Sequence, residues 1–118
     1  MAATQLKSAL KGASEVELTV TGRRSGREIT DPVWFVAEGD TLYLLPVHGS
    51  ESDWYRNVRR TPTIRVAAEG AETTATAKPI TDPAAVNRVA DKFRAKYGAD
   101  QVSRYYEELD AAVEVPLA

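Results

Sequence analysis

The chain has 118 residues, 43% of them hydrophobic and 27% charged, with a net charge of −2. That size predicts one domain, which buries roughly two-thirds of its unfolded surface without needing covalent staples. The absence of cysteine excludes disulfides, thiolate metal ligands and thiol nucleophiles; a single histidine argues against a histidine metal site, and the slight negative charge against global attraction to nucleic acid.

No apolar run approaches the roughly 18 residues of a membrane span, and the N-terminal stretch lacks a signal-peptide core. These features and the missing cysteines predict a cytoplasmic protein with no integral membrane segment. Residues 2–13 read as a short helix, with Leu6, Ala9 and Leu10 on one side.

Glu15 to Thr21 alternates, with Val16, Leu18 and Val20 on one face, which predicts a half-buried strand. Gly22 to Gly26 turns the chain, and Glu28 to Glu38 returns as a second strand. After the Gly39-Asp40 turn signal, Thr41 to Val47 is a third strand, apolar on both faces and therefore central. A polar loop from His48 to Ser52 precedes one or two helical turns, Asp53 to Arg60, ended by Pro62. Thr63 to Ala68 and Ala71 to Lys78 form the next hairpin, and Pro79 to Asp82 leaves the sheet. Asp82-Pro83 starts a helix as cap and first residue. It carries Val86, Val89, Ala90, Phe93 and Tyr97 and stops at Gly98. Asp100 is placed as the cap of another helix with Val102, Tyr105, Tyr106 and Leu109, and Ala112 to Val115 as the last strand.

This order predicts a mainly β or α+β domain spanning 1–118: a small barrel of about six mostly antiparallel strands with peripheral helices. Strand-helix alternation of the parallel nucleotide-binding kind is absent.

The candidate site residues fall in two segments. Thr21-Gly22-Arg23-Arg24-Ser25-Gly26-Arg27 places three guanidiniums and a hydroxyl in one tight loop. Arginine forks and free backbone N–H groups suit phosphate or carboxylate. Residues 12 to 77 hold seven arginines and no lysine, which fits bidentate oxyanion recognition as readily as a surface bias. The spacing is neither a Walker loop nor a dinucleotide fingerprint. Trp54-Tyr55-Arg56-Asn57 opens the short helix with two amphipathic aromatics, which suit a planar ring; one of them belongs to the core and the other to a rim. His48, at the end of the central strand, completes no definable triad. The scattered carboxylates give no metal cluster.

The pattern Thr-x-Thr-Gly-Arg-Arg-Ser-Gly-Arg at 19–27, then Pro32, Gly39-Asp40, Trp54-Tyr55-x-Asn57-Val58 and Pro62, resembles the deazaflavin-dependent nitroreductases. Those are split β-barrels related to FMN-binding pyridoxamine-phosphate oxidases. The stretch from Tyr43 to Gly49, with Trp54-Tyr55 and Phe93 to Gly98, is also similar to an uncharacterised sister group of small barrels. The first resemblance implies a reductase that passes a hydride from coenzyme F-420 to a small electron-poor acceptor, a quinone or nitro compound. It leaves FMN, or a carrier without turnover, as alternatives. It implies that Arg23, Arg24 and Ser25 hold the phosphate, that Pro32 and Trp34 line the ring groove, and that Gly26, Arg27, Val47 and Gly49 also belong to the cofactor site. Trp54, Tyr55 and Asn57 then belong to the helix beside the tail, and His48 or Tyr55 is placed to donate a proton. Split barrels often pair, which makes a homodimer an expectation. Two departures stand out. Ile29 occupies the family's usual arginine position, and the loop His48 to Asp53 lacks the family's Gly-Gly pair and proline.

Overall fold

The computed structural model describes residues 2–117. Eight strands form two four-stranded antiparallel sheets, ordered β2-β1-β5-β6 and β3-β4-β8-β7. In chain order the elements are α1 (Ala2–Leu10), β1 (Val16–Thr21), β2 (Glu28–Val33), β3 (Phe35–Glu38) and β4 (Thr41–Leu44). After one 3-10 turn (Gly49–Glu51) come α2 (Asp53–Arg60), β5 (Thr63–Ala68), β6 (Ala71–Thr76) and β7 (Lys78–Ile80). The chain ends with α3 (Pro83–Tyr97), α4 (Ala99–Tyr105) and β8 (Ala112–Pro116). This is a split barrel with helices outside it, an α+β fold.

The strand count exceeds the expected six because two long strands each divide between the sheets. Val33 pairs with Val16 in the first sheet, while Phe35 pairs with Leu44 in the second. Trp34 is the corner between them. The second corner is Ala77, whose N–H donates to the Pro62 carbonyl at 2.8 Å. Beyond it Pro79 does not leave the sheet but pairs with Val113 as part of edge strand β7. Proline is tolerated there because an edge strand leaves one side of its backbone unpaired. The third strand stops at Leu44, short of Val47, and is central as its apolar faces required.

The residues that alternate in sequence meet inside. Val16, Leu18, Val20, Phe35, Leu44, Ile64 and Val66 are all buried in one cluster with Leu6 and Leu10 of α1. A second cluster joins Val36 and Leu45 to Val86, Val89, Ala90 and Phe93 of α3 and to Val102 of α4. The Asp82 carboxylate accepts from the Ala85 N–H at 3.0 Å, and Gly98, at φ 99°, ends α3. The same Gly98 precedes α4, so Asp100 lies inside that helix rather than capping it. Tyr106 closes α4, and Leu109 lies beyond it.

Candidate functional site

The β1–β2 hairpin loop is held shut by its own backbone: Gly22 N–H donates to the Arg27 carbonyl at 2.7 Å and Gly26 N–H to the Gly22 carbonyl at 2.9 Å. Gly26 sits at φ 73°, where glycine carries no steric penalty. A Cβ on Gly22 would stand 2.9 Å from Ser25 Oγ. From this turn Arg23 reaches α2. Asn57 Oδ1 accepts from Arg23 N at 3.0 Å and from Arg23 Nη1 at 2.9 Å, and Arg23 Nη2 lies 3.3 Å from Asp53 Oδ1. Arg23 and Asn57 therefore act as a strut between loop and helix. Arg24, Ser25 and Arg27 are exposed; Ser25 Oγ accepts from Arg27 N at 3.1 Å and keeps its proton for another acceptor. Arg23, Arg24 and Ser25, with Asp53 and Asn57, line a hollow of about 270 Å³.

On the other side of the first turn of α2, Trp54 borders a groove of about 370 Å³. Pro32 and Trp34, the residues expected to line a ring site, line it together with Val47, Tyr105 and Tyr106. Trp34 occupies the corner between the sheets. It stacks on Tyr97 with centroids 4.2 Å apart and planes 9° apart, and meets the edge of Tyr105 at 5.6 Å. Tyr97 is fixed in turn by its hydroxyl, 2.8 Å from the Phe35 carbonyl and 2.7 Å from that of Ser14. Val47 and Tyr105 are 39% and 49% exposed, so the groove opens an apolar mouth to solvent. Burial pushes the Tyr106 phenol far above its ordinary range, which keeps it neutral. Glu15 is the single charged residue on this lining.

The proposed proton donors fall elsewhere. Tyr55 is 0% exposed, and its hydroxyl is buried without a hydrogen-bond partner. It belongs to the barrel core with Val58, while Trp54 is the rim residue. Burial also raises the Tyr55 pKa. The His48 side chain is 58% exposed and outside the groove, with Nδ1 2.7 Å from Glu107 Oε2. Gly49 is buried at φ 56°, where a Cβ would stand 2.0 Å from Asp110 Oδ1. It locks the loop to the segment before β8 rather than lining the groove. Ser50 completes that lock through its N–H and hydroxyl to the Asp110 carboxylate, at 2.8 and 2.6 Å.

Sequence reasoning missed Tyr105, Tyr106, Leu45 and Glu15 as groove residues. The two tyrosines read as a helix packing face; their signal is that two adjacent aromatics cannot both point into one core. A larger groove of about 710 Å³ adjoins this one through Glu15 and Pro32. Glu17, Glu69 and Glu72 line it as well, a negative wall that disfavours an anionic ligand. No group of histidine or acidic side chains suited to a metal occurs among the described residues. Nor does any helix among them have the length and apolarity to cross a membrane.

No curated protein matches the chain. Among solved structures, an F420-H2 dependent reductase, FDR-A, is similar with a TM-score of 0.65 at 20% identity, covering 86% of this chain and 93% of that one. The heme storage protein HutZ from Vibrio cholerae gives 0.71 at 13% identity, covering 96% and 87%. A candidate pyridoxamine 5'-phosphate oxidase from Listeria innocua gives 0.68 at 16%, covering 98% and 92%. At these identities the likeness establishes the split-barrel fold. The family model described as "Uncharacterized protein conserved in bacteria (DUF2255)" matches residues 7–114, and the chain belongs to that family.

Proposed function

We propose that the protein is a deazaflavin-binding oxidoreductase that uses coenzyme F-420 to reduce a small electron-poor acceptor, a quinone or nitro compound. One observation carries the reading: an aromatic groove and an arginine-bearing hollow flank the same helical turn, Asp53-Trp54. That arrangement fits a planar ring joined to an anionic tail, and one of the similar structures is an F420-H2 dependent reductase.

The bound cofactor would supply the hydride. The chain's part is positioning. Trp34, braced by Tyr97, presents a fixed aromatic wall, and Pro32, Val47 and Trp54 border the slot and exclude water. Arg24, Arg27 and the Ser25 hydroxyl take the tail, with Arg23 holding their loop against α2. With Tyr55 sealed and His48 turned to Glu107, an acceptor's proton comes from solvent.

A second reading is a carrier that binds the cofactor without turnover, since neither His48 nor Tyr55 reaches the groove. FMN is the alternative ligand, since a ring slot with an oxyanion loop fits both. Titrating the pure protein with F-420 and with FMN, then mixing it with reduced F-420 and a panel of quinones and nitroaromatics, separates these readings. Cofactor oxidation by the panel supports the reductase; binding without oxidation supports the carrier; binding of neither removes the proposal. A homodimer belongs to the same proposal, supported by Ile29, 41% exposed on edge strand β2, and is tested by light scattering.

A further inference from the structure

A separate cavity of about 520 Å³ lies between α1, the β3–β4 hairpin and the end of α3. Leu10, Phe35 and Val36 give it an apolar base, and Lys7, Lys11 and Lys96 surround it. Its volume is within the range of small-molecule sites. The three cations are not equivalent. Lys7 is paired with Asp40 in the β3–β4 turn. Lys11 is exposed at the end of α1.

Lys96 Nζ donates to the Phe35 carbonyl at 2.9 Å and lies 3.4 Å from the centroid of the Phe35 ring. Lys96 is exposed at the surface, and the partial burial of its stem lowers its pKa, with no carboxylate among the described residues acting to offset this. An ammonium has three donors, so Lys96 keeps capacity for an anion.

We propose that this cavity is a second ligand site, for a small amphipathic monocarboxylate of the arylalkanoate kind. Its carboxylate sits between Lys96 and Lys11, and its apolar body rests on Leu10, Phe35 and Val36. Lysines act as compact point charges rather than planar forks. The site therefore selects for one negative charge on an apolar body. The arginine loop takes no part, so the proposal stands apart from the cofactor reading.

Calorimetry on the full chain tests it, with phenylacetate as probe and phenylacetamide as its uncharged counterpart. Saturable phenylacetate binding is expected, with the amide weaker by about tenfold or more. Lys96→Met and Lys11→Met should each weaken phenylacetate binding by about tenfold, while Arg24→Ala leaves it unchanged. Lys11 is exposed, so its substitution decides the matter even if Lys96→Met disturbs folding. Absence of saturable phenylacetate binding, equal binding of the amide, or undiminished binding to Lys11→Met overturns the proposal. Loss of binding in Arg24→Ala alone would move the carboxylate to the arginine loop and overturn it equally.

Discussion

Asn57 Oδ1 accepts two hydrogen bonds from Arg23, one from its backbone N–H at 3.0 Å and one from its guanidinium at 2.9 Å. A buried amide on α2 thereby fixes the conformation of a surface loop 34 residues earlier. Because Arg23 serves the fold, the loop's capacity for an anion rests on the neighbours it positions.

Asn57→Ala should therefore destabilise the protein by about 2 kcal/mol, since it leaves the Arg23 N–H without its partner and empties a buried site. Asn57→Asp keeps the acceptor and should retain most of the stability. Urea denaturation of the two variants checks this; equal loss in both would remove the strut.

Arg23 and Arg24 should separate in their effects. Arg24→Ala leaves the unfolding midpoint unchanged and weakens cofactor binding by about tenfold to a hundredfold, the worth of one charge-assisted contact. Arg23→Ala lowers the midpoint as well. Paired calorimetric and thermal measurements report both.

Tyr97→Phe removes the hydroxyl that receives, at 3.0 Å, the N–H of the buried Phe35. A loss of about 1–3 kcal/mol is expected. Trp34 loses its fixed stacking partner, so its fluorescence should shift while the fold persists. An unchanged spectrum would mean that Tyr97 does not brace the groove wall.

Acid should loosen the loop from His48 to Ser52. Hydrogen bonds from the Ser50 hydroxyl and N–H lower the Asp110 pKa below its ordinary 3.8. A depressed folded-state value means this stabilisation is complete above the unfolded pKa and is lost as pH falls through the folded one. Unfolding measured from pH 7 down to 2 should show a decline below about pH 4 that is shallower in Asp110→Asn. Identical profiles would place the acid sensitivity on other carboxylates.

Much of this architecture was legible in sequence because the alternation of β1 and β5 and the Asp82-Pro83 start of α3 are local signals. The sheet changes at Trp34 and Ala77 were not, since alternation marks faces and not partners. Trp34 of the groove was legible only through the family resemblance, because it lies mid-strand in the sequence pattern, and Trp54 through its place at the start of α2. Tyr105 and Tyr106 arrive from α4, over 40 residues downstream of α2, and only tertiary packing brings them there. The choice between Trp54 and Tyr55 has a sequence signal: Tyr55 and Val58 are three residues apart and face inward together. The lock of His48, Gly49 and Ser50 to Glu107, Glu108 and Asp110 had none, because every contact is long-range.

We propose that the groove and the arginine loop hold one ring-and-phosphate ligand between them. Calorimetric titration of the purified protein with oxidised F-420, beside FMN and beside the Arg24→Ala variant, tests it most directly. Saturable binding of F-420 at one site per chain is expected, weakened about tenfold to a hundredfold in the variant. Failure of both cofactors to bind, or equal F-420 affinity in the two proteins, would contradict it.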